Sequence, residues 1–195
     1  MKKSVKILLG IVVALLLGGV IGIGSAVLAI ERSAVSSSVI NGPWRTNLAT
    51  GSEQHDMYNR AWFAIHALLG LNQSESIYYF AYTDDSGERL NGDNVYRIEG
   101  NVPDARWWSI TVYGEDDFLI PNEMNCYSYS GNSVTYDQDG KYTIYLSKNQ
   151  KPGDWIPLGD QKSFSLALRL YNPGDSVRNN PATVDLPHVI EEAGK

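Results

Sequence analysis

The chain has 195 residues and a net charge of −6, with Tyr (12) and Trp (5) plentiful and Phe (4) scarce. Lys2, Lys3 and Lys6 supply +3 ahead of a long apolar run, so residues 7–195 carry −9 of the total −6. A body this acidic, without a basic cluster, excludes nucleic acid as a partner and adsorption to an anionic lipid surface, and one cysteine, Cys126, excludes an internal disulfide.

Residues 7–30 are uncharged and interrupted only by Gly and one Ser. As a helix the run spans about 36 Å, enough to cross a hydrocarbon core of about 30 Å. Residues 1–30 therefore predict a single transmembrane anchor. Three Lys before the run and a mixed Glu31-Arg32 after it place the N-terminus in the cytoplasm. The expectation is a single-pass inner-membrane protein whose body faces the periplasm or exterior. A cleaved signal peptide, with Val27 and Ala29 before the cut, is the rival reading, but its apolar region is normally about 7–15 residues. Gly18-x-x-x-Gly22 spacing lets two helices approach closely, which would permit self-association. Residues 31–40 are small and polar and read as a tether to a domain at 41–195.

Asn41-Gly42-Pro43-Trp44-Arg45 reads as a turn entering a short strand. A helix is predicted over residues 53–69: Thr50-x-x-Glu53 fits a capping box and Gly70 fits a C-terminal stop. Tyr58, Ala61, Trp62, Ile65, Leu68 and Leu69 repeat at three and four, so one face should pack inward. His55 and His66 flank that face, eleven residues apart, and cannot share a metal from one helix.

Strands dominate afterwards. Residues 77–83 are a Tyr-rich strand, Asp84-Asp85-Ser86-Gly87 a turn, and 94–100 a strand with Arg97 and Glu99 on one side. The strongest strand signal is Arg106-Trp107-Trp108-Ser109-Ile110-Thr111-Val112-Tyr113-Gly114. Read with period two, Trp108, Ile110 and Val112 face a core, while Trp107, Ser109, Thr111 and Tyr113 face the other way. Residues 122–130 look short and irregular, 134–136 and 141–146 a hairpin, and 151–159 a loop pinned by Trp155. Residues 164–171 alternate cleanly: Phe164, Leu166, Leu168 and Leu170 inward, Ser165, Ala167, Arg169 and Tyr171 outward. A short terminal helix is expected near 189–193. Short strands divided by Gly, Pro, Asp and Asn turns predict an all-β, antiparallel β-sandwich with one N-terminal amphipathic helix.

Gly42-Pro43-Trp44, Tyr58-x-Arg60-Ala61, the Asp84/Asp85-x-Gly87 turn and the strand from Arg106 to Tyr113 occur in order. Asp139-Gly140, Asp154-Trp155-Ile156-Pro157 and Leu168-Arg169-Leu170-Tyr171-Asn172-Pro173 follow. Together they resemble the bacterial family called domain of unknown function 1214, over about residues 41–189. The resemblance implies a jelly-roll-type sandwich and an envelope location, and brings no established activity. Family members often carry this domain after a partner, domain of unknown function 1254; this chain looks like the short, membrane-anchored form without it.

Of the chemical motifs sought, H-E-x-x-H, G-x-S-x-G, the P-loop and a strand-linked G-x-G-x-x-G do not occur. No metal site and no cofactor are predicted. Asp137-x-Asp139-Gly140 lacks the closing Glu of a calcium loop, since position 148 is Lys, and reads as a hairpin turn. One constellation remains. If the strands at 106–114 and 164–171 share a sheet, Trp107, Ser109, Tyr113, Arg169 and Tyr171 form an aromatic platform edged by a guanidinium. Aromatic faces stack on sugar rings and Arg grips carboxylates. The competing account pairs Arg169 with Glu99 or Asp154 and packs the aromatics under the 151–159 loop. The functional expectation is a ligand- or partner-binding domain, for a glycan, an envelope component or a protein, without catalysis; the alternative is a carbohydrate- or polyanion-active hydrolase or lyase.

Overall fold

The computed structural model describes residues 3–36, 38–47, 57–65 and 71–192. They fall into two compact units: helix α1 (Lys3–Ser36) with helix α2 (Met57–Ile65), and a unit that holds every strand.

α1 contains a stretch, Lys3–Ser33, long and apolar enough to span a membrane. It runs beyond residue 30 because Ser33-Ala34-Val35 offers no Gly or Pro to stop it. Residues 31–36 of the expected tether are thus helical, and residues 39–40 already belong to strand β1. α2 is the described part of the helix predicted over 53–69; its proposed cap at Thr50 and Glu53, its glycine stop, and both His55 and His66 lie outside the described residues. Tyr58 and Ile65 of its apolar stripe are exposed, so the expected burial does not hold at these two positions. Helical spacing marks a face; it does not supply the surface that covers it.

In the second unit the strands are β1 (Val39–Asn41), β2 (Trp44–Thr46), β3 (Ser76–Ala81), β4 (Val95–Gly100), β5 (Ala105–Gly114), β6 (Ser128–Ser130), β7 (Tyr142–Ser147), β8 (Asp154–Pro157), β9 (Phe164–Pro173) and β10 (His188–Glu192), with a short helix α3 (Asp175–Asn179) after β9. They form a six-stranded sheet, β1-β2-β3-β9-β5-β6, and a four-stranded sheet, β10-β4-β7-β8. The inner faces share one core: Ile77, Trp108, Ile110, Leu166 and Leu168 from the larger sheet meet Tyr96, Ile98, Tyr142, Ile144 and Leu146 from the smaller. Trp108 stacks on Tyr142 across this core, ring centroids 4.6 Å apart. Period-two patterning decides which side chains enter it, as the alternation of β5 and β9 predicts.

Three expectations are corrected. The 151–159 stretch contains strand β8, which pairs parallel with β7, so the sheets are not wholly antiparallel. Trp155 holds it there, donating its indole N–H to the Ser147 carbonyl (3.1 Å) and hydroxyl (3.0 Å). Residues 188–192 form β10 rather than a helix, because β-branched Val189 and Ile190 pair with Ile98 and Arg97 of β4. Asp85 reinforces that edge: its amide donates to the Val189 carbonyl (2.9 Å) and its carboxylate accepts the Val189 N–H (3.0 Å). α3 had no sequence signal long enough to register. It sits where Asp104 accepts a hydrogen bond from the Ser176 hydroxyl and the Gly174 N–H reaches the Asp104 carbonyl.

Candidate functional site

β9 lies between β3 and β5, so the condition on the predicted platform is met: β5 and β9 are neighbours in one sheet. Their register sets Trp107 opposite Tyr171, Ser109 opposite Arg169, Thr111 opposite Ala167 and Tyr113 opposite Ser165. All five predicted residues therefore share the face turned away from the core. β3 extends that face on the other side of β9, placing Tyr78 opposite Arg169, Phe80 opposite Ala167 and Ser76 opposite Tyr171.

The face is a floor with walls. Ser76, Ser109, Thr111, Ser165 and Ala167 are small and buried, Ser109 to 6 % exposure and Ala167 to 0 %. Around them stand half-buried Tyr78, Phe80, Trp107, Tyr113, Arg169 and Tyr171. The large residues shade the small ones, so the outward alternation of β9 does not mean full solvation. Trp107 and Tyr171 lie 5.3 Å apart at a 60° tilt, a favourable aromatic arrangement.

Arg169 is the charged member. It donates from Nη1 to Thr111 Oγ1 (2.9 Å) and from Nη2 to Tyr113 Oη (2.6 Å), and its guanidinium carbon lies 5.6 Å from the Tyr113 ring centre. Among the described residues no carboxylate pairs with it. Glu99 is taken by Arg97 Nε (3.0 Å), and Asp154 accepts the Thr135 N–H (2.6 Å), so neither ion pair of the competing account forms. Two of the five guanidinium donors are used, which leaves three. Thr111 and Tyr113 accept from Arg169, so each keeps its own proton to donate. Among the described residues the Ser109 and Ser165 hydroxyls find no partner, and the Ser76 hydroxyl is buried without one. Burial pushes the Tyr171 phenol above its ordinary pKa, the nearby Tyr78 phenol adds to this, and Arg169 pulls it back. The face thus presents hydrogen-bond donors and one positive charge between aromatic rings.

Sequence reasoning missed Thr111, Tyr78 and Ser76 as members. Thr111 was findable from the i, i+2 rule that selected Ser109 and Tyr113. Tyr78 and Ser76 needed the pairing of β3 with β9, which closes about ninety residues of chain and has no local signature.

Elsewhere, acidic turns explain themselves. Asp84 accepts from the Ser86 N–H (2.9 Å), the Ser86 hydroxyl (2.7 Å) and the Glu88 N–H (3.0 Å); Asp137 accepts from the Asp139 (2.9 Å) and Lys141 (2.8 Å) amides. These are Asx-type turns whose carboxylates serve the backbone. His188 meets Asp85 at 2.7 Å on the surface. Cys126 is a half-buried free thiol whose pKa burial raises.

Comparison with known proteins adds the following. The VPA0106 protein from Vibrio parahaemolyticus is similar in structure, with a TM-score of 0.57 and 26 % identity over 68 % of this chain and 35 % of that one. An uncharacterised protein from Burkholderia cenocepacia matches with a TM-score of 0.49 and 14 % identity, over 69 % of this chain and 33 % of that one. The chain spans about a third of the length of these solved structures. No curated protein matches. The model of the family described as "Protein of unknown function (DUF1214)" matches residues 75–175, which runs from the start of β3 through β9 and so includes the whole platform. On that match, over half of the chain, the protein belongs to the DUF1214 family.

Proposed function

We propose that this protein is a membrane-anchored envelope component whose β-rich body binds a ring-bearing ligand, a glycan or a related envelope constituent, without catalysis. In this reading residues 1–30 are a single-pass anchor in the inner membrane with the N-terminus inside. Residues 41–195 are a jelly-roll-type sandwich on the periplasmic or outer side, modified by the parallel β7–β8 pair. The anchor is supported by the exposure of α1: Leu15, Val20 and Ile23 are each 71 % exposed, a surface that water does not favour.

The ligand reading rests on Arg169, a half-buried guanidinium held by two hydroxyls among aromatic rings with no acid beside it. Scaffold arginines at half-buried positions ordinarily pair with carboxylates; this one keeps donors available. The outer faces of β3, β5 and β9 carry no carboxylate, which favours binding over a paired-acid hydrolase. The test is calorimetric titration of the full chain in detergent with a panel of envelope-type oligosaccharides. Binding of at least one is expected, weakened about tenfold by Trp107→Ala, roughly the 1.4 kcal/mol of a lost ring stack. A panel with no binder, or a Trp107→Ala variant that binds as well as wild type, refutes it.

A further inference from the structure

Resting on that reading, the geometry points to a narrower ligand class: the platform takes a sugar that carries a carboxylate, a uronic-acid unit, with the carboxylate on Arg169 and the ring against Trp107 and Tyr171. Three features carry this.

The first is the sign of the hydrogen-bonding groups. Arg169 retains three N–H donors. Thr111 Oγ1 and Tyr113 Oη accept from Arg169 at 2.9 and 2.6 Å, so their own protons are free to point toward a ligand. A neutral sugar can accept these hydrogen bonds through its hydroxyls but brings no charge to meet the guanidinium. A carboxylate brings only acceptors, two oxygens with about four lone-pair directions, and matches it.

The second is the pair of hydroxyls at the floor. Ser109, opposite Arg169 in register, is 6 % exposed, and Ser165, opposite Tyr113, is 8 % exposed. Among the described residues neither hydroxyl has a partner. Neither oxygen is fully shut off from solvent, so each can be met from the open side of the face. Both lie beside the guanidinium on the same face, where an oxygen-rich ligand would satisfy them.

The third is spacing. Arg169 and Tyr171 are neighbours on one strand face, with backbone positions about 7 Å apart, and Trp107 lies against Tyr171. The guanidinium itself is held toward Thr111 and Tyr113, so the charge and the ring pair flank one stretch of floor. No acidic side chain lies on the outer faces of β3, β5 or β9 to repel it, although the chain as a whole is acidic. The site is therefore a local positive spot on a negative protein, which a single carboxylate would occupy more readily than a polyanion would.

The experiment uses the full chain in detergent and two probes: a trisaccharide with one galacturonate unit between two neutral hexoses, and the same trisaccharide with that carboxyl group reduced to an alcohol. The acidic probe is expected to bind about 10–100-fold more tightly, the gap that one charge-assisted hydrogen-bond pair supplies. Arg169→Gln should collapse that gap, bringing the acidic probe down to the affinity of the reduced one. Arg169→Lys, which keeps the charge but not the fork, should retain only part of it. The thermal midpoint of each variant checks folding, and the lysine variant decides if the glutamine variant fails to fold. Equal affinity for the two probes overturns the carboxylate inference and leaves the aromatic platform standing. A gap that survives Arg169→Gln also overturns it, because the charge sensed is then another one. Binding of neither probe overturns this inference, and the oligosaccharide panel then decides the platform reading separately.

Discussion

Two buried tyrosines answer the same substitution with opposite signs. Tyr142 is 2 % exposed, stacks on Trp108, and its hydroxyl has no hydrogen-bond partner. The oxygen lies against Gly100, so close that a Cβ there would come within 3.0 Å of it. Burial pushes this phenol well above its ordinary pKa, the mark of a desolvated hydroxyl. Tyr142→Phe removes the unsatisfied group, worth about 1–3 kcal/mol of desolvation. It leaves a gap of roughly one oxygen, about 10–15 Å³, which costs about 0.3 kcal/mol at 24 cal/mol per Å³. Net stabilisation of about 1–2 kcal/mol is expected, a rise of about 3–6 °C in midpoint for a body of this size. Tyr79 is 0 % exposed and donates to the Pro181 carbonyl at 3.1 Å. Tyr79→Phe should therefore destabilise by about 0.5–1.5 kcal/mol, softened because Asn41 also donates to that carbonyl at 3.3 Å. Thermal unfolding of the full chain in detergent, followed by near-ultraviolet circular dichroism, reads both. A Tyr142→Phe variant that loses 1 kcal/mol or more refutes the reasoning, since the hydroxyl must then be bonded.

Three further outcomes are expected. Gly92→Ala places a Cβ 2.0 Å from the Gln161 carbonyl oxygen, a backbone atom that cannot swing away, and should cost more than 2 kcal/mol in denaturant unfolding. Gly87→Ala meets open space at φ +90 and should cost only about 1–2 kcal/mol, so equal losses would mean that the clash is relieved. The Cys126 thiol, its pKa raised chiefly by burial, should alkylate with iodoacetamide at pH 8 several-fold more slowly than free cysteine and at the ordinary rate once unfolded; a native rate equal to that of free cysteine disproves the shielding.

The elements that could be read from the sequence are those whose pattern is self-contained. β5 and β9 alternate over their length, and Trp108, Ile110, Leu166 and Leu168 are buried as that alternation requires. Where a strand exists only because a distant partner holds it, the pattern is silent. β8 is four residues ending in Pro157 and depends on Trp155 reaching Ser147; β10 depends on β4 and Asp85. The platform was legible to the extent that period two sorts faces. Its pairing across β9 had to be assumed, and the freedom of Arg169 from Glu99 and Asp154 is a fact of three-dimensional placement that no spacing encodes.

The order of strands has a consequence for biosynthesis. β9, at residues 164–173, wedges between β3 and β5, and β10, at 188–192, supplies the second neighbour of β4. Until those late segments emerge, β3, β4 and β5 each lack a flanking strand, and the hydrogen-bonding edges on which they depend stay open. A nascent chain in that condition cannot close either sheet early. Its waiting edges are open to pairing with other chains until residues 164–192 are made.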